Sequence, residues 1–274
     1  MNDDTNDLSK IDPKMLARIQ ALRLMDDDFM TVVFAGDNKL TEFLLRILLS
    51  RDDLRVKKSM TQKEMHNLFG RSVRLDILAE DADGKIYNIE IQRADKGADP
   101  RRARYNLAML DSHALKRKSD FADLPETYII FITENDYFGL GNPLYEVQKE
   151  IKGTALLFDD GAHTIYVNGA YRSDDAIGKL MHDFCEPNAD KMNYEEIAER
   201  VRLHKQQTKG VTNMCRIFEE YGEEVRAEAR AEARNEFVED LLKQNKLSQE
   251  DIAIVAKVPL EQVQKIAERI FATA

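Results

Sequence analysis

The sharpest alternation of apolar and polar positions runs from Arg71 to Gln92. Val73, Leu75, Ile77 and Ala79 alternate with Arg74, Asp76 and Leu78; Ile86, Asn88 and Glu90 alternate with Tyr87, Ile89 and Ile91. Period-two patterning in β-branched and aromatic residues predicts two strands. Asp83-Gly84 between them predicts a tight hairpin, because both residues tolerate positive φ. A longer period precedes it. Leu40, Phe43, Leu44, Ile47 and Leu48 form the apolar stripe of an amphipathic helix over Asn38–Leu49, with Asp37 or Asn38 placed to cap it. Thr127–Thr133 (TYIIFIT) is nearly all apolar, as a strand buried on both faces should be.

The remaining pattern fills in an order. Residues 13–25 read as a short helix behind an acidic tail, the whole of 1–31 being an extension that docks loosely. Residues 54–58 suit an edge strand. Residues 61–69 are polar and read as a surface loop or irregular strand, from which Gln62 and His66 either approach the site or stay at the surface. Residues 101–118 read as a helix with Ala103, Leu107, Leu110, Ala114 and Leu115 inward, closed by Lys116, Arg117 and Lys118. Residues 155–158 and 163–168 read as a further hairpin turning at Asp160-Gly161, and 173–184 as a helix. The α-β-β-β-α-β order predicts an α/β fold, a mixed sheet flanked by helices.

From residue 193 the pattern is helical throughout. A first helix is expected to stop at Gly210. A long one follows, with a ridge of Glu224, Glu228, Glu232 and Glu236 and another of Arg226, Arg230 and Arg234. Like charges at i, i+4 weaken an isolated helix, so a Glu ridge facing an Arg ridge on a second helix is one reading and a solvated arm the other. Ser248 with Asp251 and Pro259 mark a terminal helix–turn–helix with Ile252, Ile254, Val255, Val258, Val263 and Ile266 as its core. Its second helix has no basic excess, which favours assembly or capping over DNA reading. The expected divisions are 1–31 extension, 32–190 core, 191–245 helical arm and 246–274 helix–turn–helix.

The polar intruders in the central hairpin carry the chemistry. Asp76 interrupts an apolar strand, and Glu90 and Gln92 lie two apart on the next. A buried carboxylate is costly unless compensated. If the strands pair across the turn, Asp76 and Glu90 converge, and two carboxylates beside a free backbone carbonyl suit a hard divalent cation. The alternative is an ion pair of Asp76 with Arg74 or Arg93 at a sheet edge. Arg101, Arg102 and Arg104 open the next helix, where the dipole does not favour cations. They are candidates to hold a phosphate backbone, with Tyr105 assisting Arg102, or else a solvated face pairing with Asp95 and Asp99.

An Asp, a hairpin and Glu-x-Gln, set among FAGDNKLTEFLLRILL, GRSVRLDI, DGKIYNIEIQ, RRARYN, LPETYIIFIT, YVNGAYR and MHDF in that order, resemble the PD-(D/E)xK family transposases, also called recombination-promoting nuclease or Rpn-like proteins. The resemblance spans roughly residues 34–205 and implies a restriction-endonuclease-like core with an all-helical C-terminal arm. It implies that Asp76, Glu90 and the Ile91 carbonyl hold Mg²⁺ or Mn²⁺, that Gln92 stands where the motif has Lys, and that Glu42 on the first helix is a possible further ligand. It implies cleavage of DNA linked to recombination or mobile elements. Gln92 positions water but carries no charge; Arg93 or an arginine of the next helix is the expected replacement.

Composition narrows the rest. The net charge is −10, from 50 acidic and 40 basic residues, so DNA binding must rely on a local basic surface. No apolar run is long enough to cross a membrane. The acidic start is no signal peptide, and Cys185 and Cys215 have neither metal-ligand nor disulfide spacing. A cytoplasmic protein, self-associating through the helical arm, is expected. The competing function is an inactive or weakly active nuclease-fold protein whose arm serves assembly, and a third is a DNA-binding regulator.

Overall fold

The structure, a computed structural model, describes residues 8–67, 70–93, 95–244 and 246–271, with backbone alone at 95, 96, 221, 222, 224–229 and 271. Two compact units divide it, Met1–Thr212 and Asn213–Ala274.

The first unit is built on one six-stranded mixed sheet flanked by helices. Its strands are β1 (Val56–Met65), β2 (Val73–Asp81), β3 (Ile86–Gln92), β4 (Thr127–Thr133), β5 (Leu144–Val147) and β6 (Ala162–Asn168), in the order β1-β2-β3-β4-β6-β5. The β1–β2 and β2–β3 pairs are antiparallel, β3–β4 and β4–β6 parallel, and β5 runs antiparallel to β6. The predicted turn forms at Gly84, whose φ of 83° only glycine adopts without strain. Central β4 buries Ile129, Ile130, Phe131 and Ile132 completely. Each such side chain contributes about 1.5–3 kcal/mol.

Helix α1 is Pro13–Ala21, α2 is Asp27–Phe34, α3 is Asn38–Leu49 and α4 is Pro100–Ala114. One sheet face packs Leu75, Ile129, Phe131 and Tyr166 against Ala103, Met109 and Leu110 of α4. Helix α3 is the predicted amphipathic helix, capped by Asp37 accepting from the Leu40 N–H.

Several expectations change. Residues 13–31 are not a loose extension: Ile19, Leu24, Met25, Phe29 and Met30 are fully buried, because α2 carries a nearly unbroken apolar run through Phe34. Residues 56–65 are one strand, the polar stretch included, since it lies at the sheet edge with one side open. The partner of β6 at the far edge is β5 and not 155–158, which keeps a single bridge, Glu150 to Leu157. Helix α4 ends at Ala114, leaving Lys116, Arg117 and Lys118 beyond it.

Helices α5 (Ala176–Cys185), α6 (Glu195–Gln206) and α7 (Thr208–Gln244) follow. Gly210 lies inside α7 instead of stopping α6. Its role is close approach: an added Cβ would stand 2.0 Å from the Leu203 carbonyl oxygen. The buried Lys205 of α6 donates to the carbonyls of Gln20, Leu22 and Pro187, tying α6 to the N-terminal segment. Asp183, fully buried, accepts from the N–H groups of Asn193 and Tyr194 and from His182, so the His182–Asp183 neighbours are structural.

In the second unit, Val238 and Leu242 of α7 pack with Ile252, Ala256, Val263, Ile266 and Ala267 of α8 (Gln249–Ala256) and α9 (Leu260–Phe271). Ser248 caps α8 as predicted. Ile254 and Val255 are exposed, not core, because α7 supplies the apolar partners on the other face. Arg230, Glu232, Arg234 and Glu236 are exposed, whereas the side chains of Glu224, Arg226 and Glu228 lie outside the described residues.

Candidate active site

The register of the central hairpin pairs Leu78 with Asn88 and Ile77 with Ile89. Continuing it by one residue beyond Ile77 sets Asp76 opposite Glu90. The paired ladder ends at Ile77, and there the Asp76 carboxylate takes over: its Oδ2 accepts the Ile91 N–H at 2.9 Å. Asp76 is 8% exposed and Glu90 is fully buried.

Glu90 is held by both oxygens. Its Oε1 accepts from Asn88 Nδ2 at 2.9 Å and its Oε2 from Arg102 Nη2 at 2.6 Å. Asn88 is braced in turn by Asn106 of α4, at 3.2 Å. Arg102 also donates through Nη1 to Gln92 Oε1 and to the Gly97 carbonyl, both at 3.2 Å. Glu90, Gln92 and Arg102 therefore form one hydrogen-bonded cluster, and the charge of Glu90 acts on Asp76.

Asp76, Gln92 and Arg102 line a cleft of about 1000 Å³, with Asp27, Arg71, Arg74, Ile91, Arg93, Arg101, Tyr105 and others, and Glu90 is buried behind it. Burial, and then the Glu90 charge, push the Asp76 carboxyl up to about 7. Burial also raises Glu90, while Arg102 and the Asn88 hydrogen bond pull it down. Charges of one sign taken from water raise each other's proton affinity, and such strain in a cleft marks a functional candidate.

The basic residues divide. Arg101 and Arg102 line the cleft; Arg104, on the same helix, is exposed and does not. The Asp99 side chain caps α4 by accepting from the Arg101 N–H, and the Asp95 side chain lies outside the described residues. Arg93 lines the cleft but pairs with Asp26 at 3.0 Å and Glu134 at 3.6 Å. Tyr105 donates to the Arg71 carbonyl and accepts from Asn67 at 3.1 Å, closing the cleft wall.

Glu42 is elsewhere. It accepts the Val56 N–H at 2.9 Å and pairs with Arg46 and Arg55, fastening α3 to β1. The acidic group that a helix does bring to the cleft is Asp27, at the start of α2, whose charge helps raise both Asp76 and Glu90. Its Oδ1 accepts from Gln62 Nε2 at 3.0 Å. Gln62 thus reaches the cleft margin from β1, at a φ of 51°, while His66 stays exposed beside Glu64. Asp27, Asn88 and Asn106 were missed from the sequence; a carboxylate run ahead of an apolar helix and an Asn inside a buried strand were the available signals.

The donors suit a hard cation. Asp76 and Glu90 offer carboxylate oxygens, and the Ile91 carbonyl lies on the strand edge its N–H shares. Asp76 Oδ1 has no hydrogen-bond partner among the described residues. Among those residues no cluster of three or more His, Cys, Asp or Glu side chains could hold a metal ion.

Residues 32–153 match the family model of the PD-(D/E)XK nuclease family transposases. The match takes in the hairpin, Gln92 and α4, and stops short of Asp27 on one side and β6 on the other. No curated protein and no solved structure gives a match. Among the described residues, no helix is long and apolar enough to cross a membrane.

Proposed function

Proceeding from that similarity, we propose that the chain is a metal-dependent endodeoxyribonuclease acting in recombination or on mobile elements. One observation carries the reading: two opposed carboxylates, Asp76 and Glu90, buried beside a cleft that arginines border. Asp76, Glu90 and the Ile91 carbonyl would hold one Mg²⁺ or Mn²⁺. Such an ion, when bound, lowers the pKa of water and stabilises charge on phosphate oxygens. Arg71, Arg74 and Arg101 would hold the DNA backbone across the cleft mouth by charge-assisted hydrogen bonds. Gln92 would orient the attacking water through its amide. Asp27 would add a carboxylate on the opposite wall.

The test is nicking of supercoiled plasmid by the full chain with Mg²⁺ or Mn²⁺, beside Glu90→Ala. The variant should lose about 100- to 1000-fold in rate. Equal cleavage by both proteins would assign the activity to a contaminant or to another site.

The exposed arm favours an added role in assembly. Arg230, Glu232, Arg234 and Glu236 lie exposed on α7 in opposing ridges, which a second copy of the helix would neutralise. Light scattering should show more than one chain per particle at low salt and fewer at high salt. A monomer at every salt concentration would remove the assembly role. An inactive scaffold is the second function this arm supports, and it predicts no cleavage with either metal.

A further inference from the structure

Gln92 stands where the family's motif ends in K, and its amide is neutral. The cleft already raises Asp76 and Glu90. A phosphodiester brought against them adds negative charge, so cleavage demands a cation close to Glu90.

Of the arginines near Gln92 in sequence, Arg93 and Arg102 make ion pairs, and the geometry separates them. Arg93 follows Gln92 directly, but its guanidinium is committed to Asp26 and Glu134, at 3.0 and 3.6 Å. Arg102 comes from α4 and meets Glu90 Oε2 at 2.6 Å, Gln92 Oε1 at 3.2 Å and the Gly97 carbonyl at 3.2 Å. Gly97 permits this arrangement. A Cβ there would stand 1.7 Å from Gln92 Oε1, so only glycine lets the amide lie over the backbone and face the guanidinium. The side chain with no charge is thereby packed and oriented to hold the one that has it.

We propose that Arg102 supplies the positive charge of the site and that Gln92 is its positioning residue. The cation enters from α4, not from β3, and the strand keeps a neutral amide whose carbonyl oxygen fixes the guanidinium beside Glu90. Its use in cleavage rests on the nuclease reading above; the placement of the charge does not.

The experiment compares wild type, Arg102→Gln, Arg102→Lys and the double variant Gln92→Lys/Arg102→Gln, all as full chains. Mn²⁺ affinity is measured by calorimetry and plasmid nicking in parallel. Removing a cation beside a metal ligand should tighten Mn²⁺ binding about 10-fold in Arg102→Gln, while nicking falls about 100-fold. The double variant returns the charge from the strand and should bring both quantities back towards wild type, with Arg102→Lys between. A merely structural Arg102 predicts otherwise: looser Mn²⁺ binding in Arg102→Gln and no rescue by the double variant. Either of those results overturns the proposal. If the wild type does not nick DNA, the nuclease reading fails, and the Mn²⁺ affinities alone decide where the charge sits.

Discussion

Strand β2 buries two carboxylates, one near its middle and one at its end, and the two are treated differently. Asp81, 1% exposed, accepts from the Asp83 and Lys85 N–H groups at 2.9 Å and from the Tyr87 hydroxyl at 2.8 Å. Asp76, 8% exposed, has one backbone donor on one oxygen and a second carboxylate across the ladder. The first is a turn-locking residue whose lone pairs are used. The second is left with unused lone pairs in a cleft. Burial alone therefore does not single out a candidate site on this strand; incomplete compensation does.

The widest gap between the two carboxylates should appear in a paired substitution. Asp76→Ala should cut plasmid cleavage about 100- to 1000-fold, with the cost of the unpaired Ile91 N–H offset by removal of a buried charge. Asp81→Asn should keep cleavage near wild type while costing about 1–3 kcal/mol in urea unfolding, because it leaves a buried donor unpaired. Loss of cleavage in a folded Asp81→Asn protein, or full cleavage by Asp76→Ala, would erase the contrast.

A smaller effect sharpens it. Asp76 ionises at about 7 in the fold against an ordinary value of 3.8. Between those values the folded chain keeps a proton that the unfolded chain has lost, so stability is fully present below the lower value and declines as pH rises through the upper one. Urea unfolding from pH 4 to pH 8 should show this decline without divalent metal, and Asp76→Asn should flatten it. An unchanged slope in that variant would place the pH dependence on other groups.

Much of this arrangement could be read in the sequence, and what could not was long-range. The hairpin was legible because its alternation and its Asp-Gly turn are local, and its register then set Asp76 against Glu90. The amphipathic α3 and buried β4 were legible by the same local periodicity. The partner of β6 was not, since edge pairing is settled by tertiary competition and residues 144–147 and 155–158 are both plausible short strands. Glu42 was a candidate and Asp27 was not for a related reason: both are helix carboxylates, and only packing reveals that one fastens α3 to β1 while the other faces the cleft. Gly210 looked like a stop signal because sequence does not show the Leu203 carbonyl beside it.

The close spacing of the charge cluster also bears on how the chain folds. Asp76, Glu90, Gln92, Gly97 and Arg102 all lie on one short stretch, whereas the sheet's parallel half must join Thr127 to Ala162 and Ile86 to Thr127. Closing a short loop loses less entropy than closing a long one, and hairpins form in about 1–10 μs. The nascent chain can thus bring its two acids and its arginine together before the parallel strands find their partners. Repulsion between Asp76 and Glu90 is then met by Arg102 at the earliest stage, and slow refolding of Arg102 variants is the kinetic trace this order would leave.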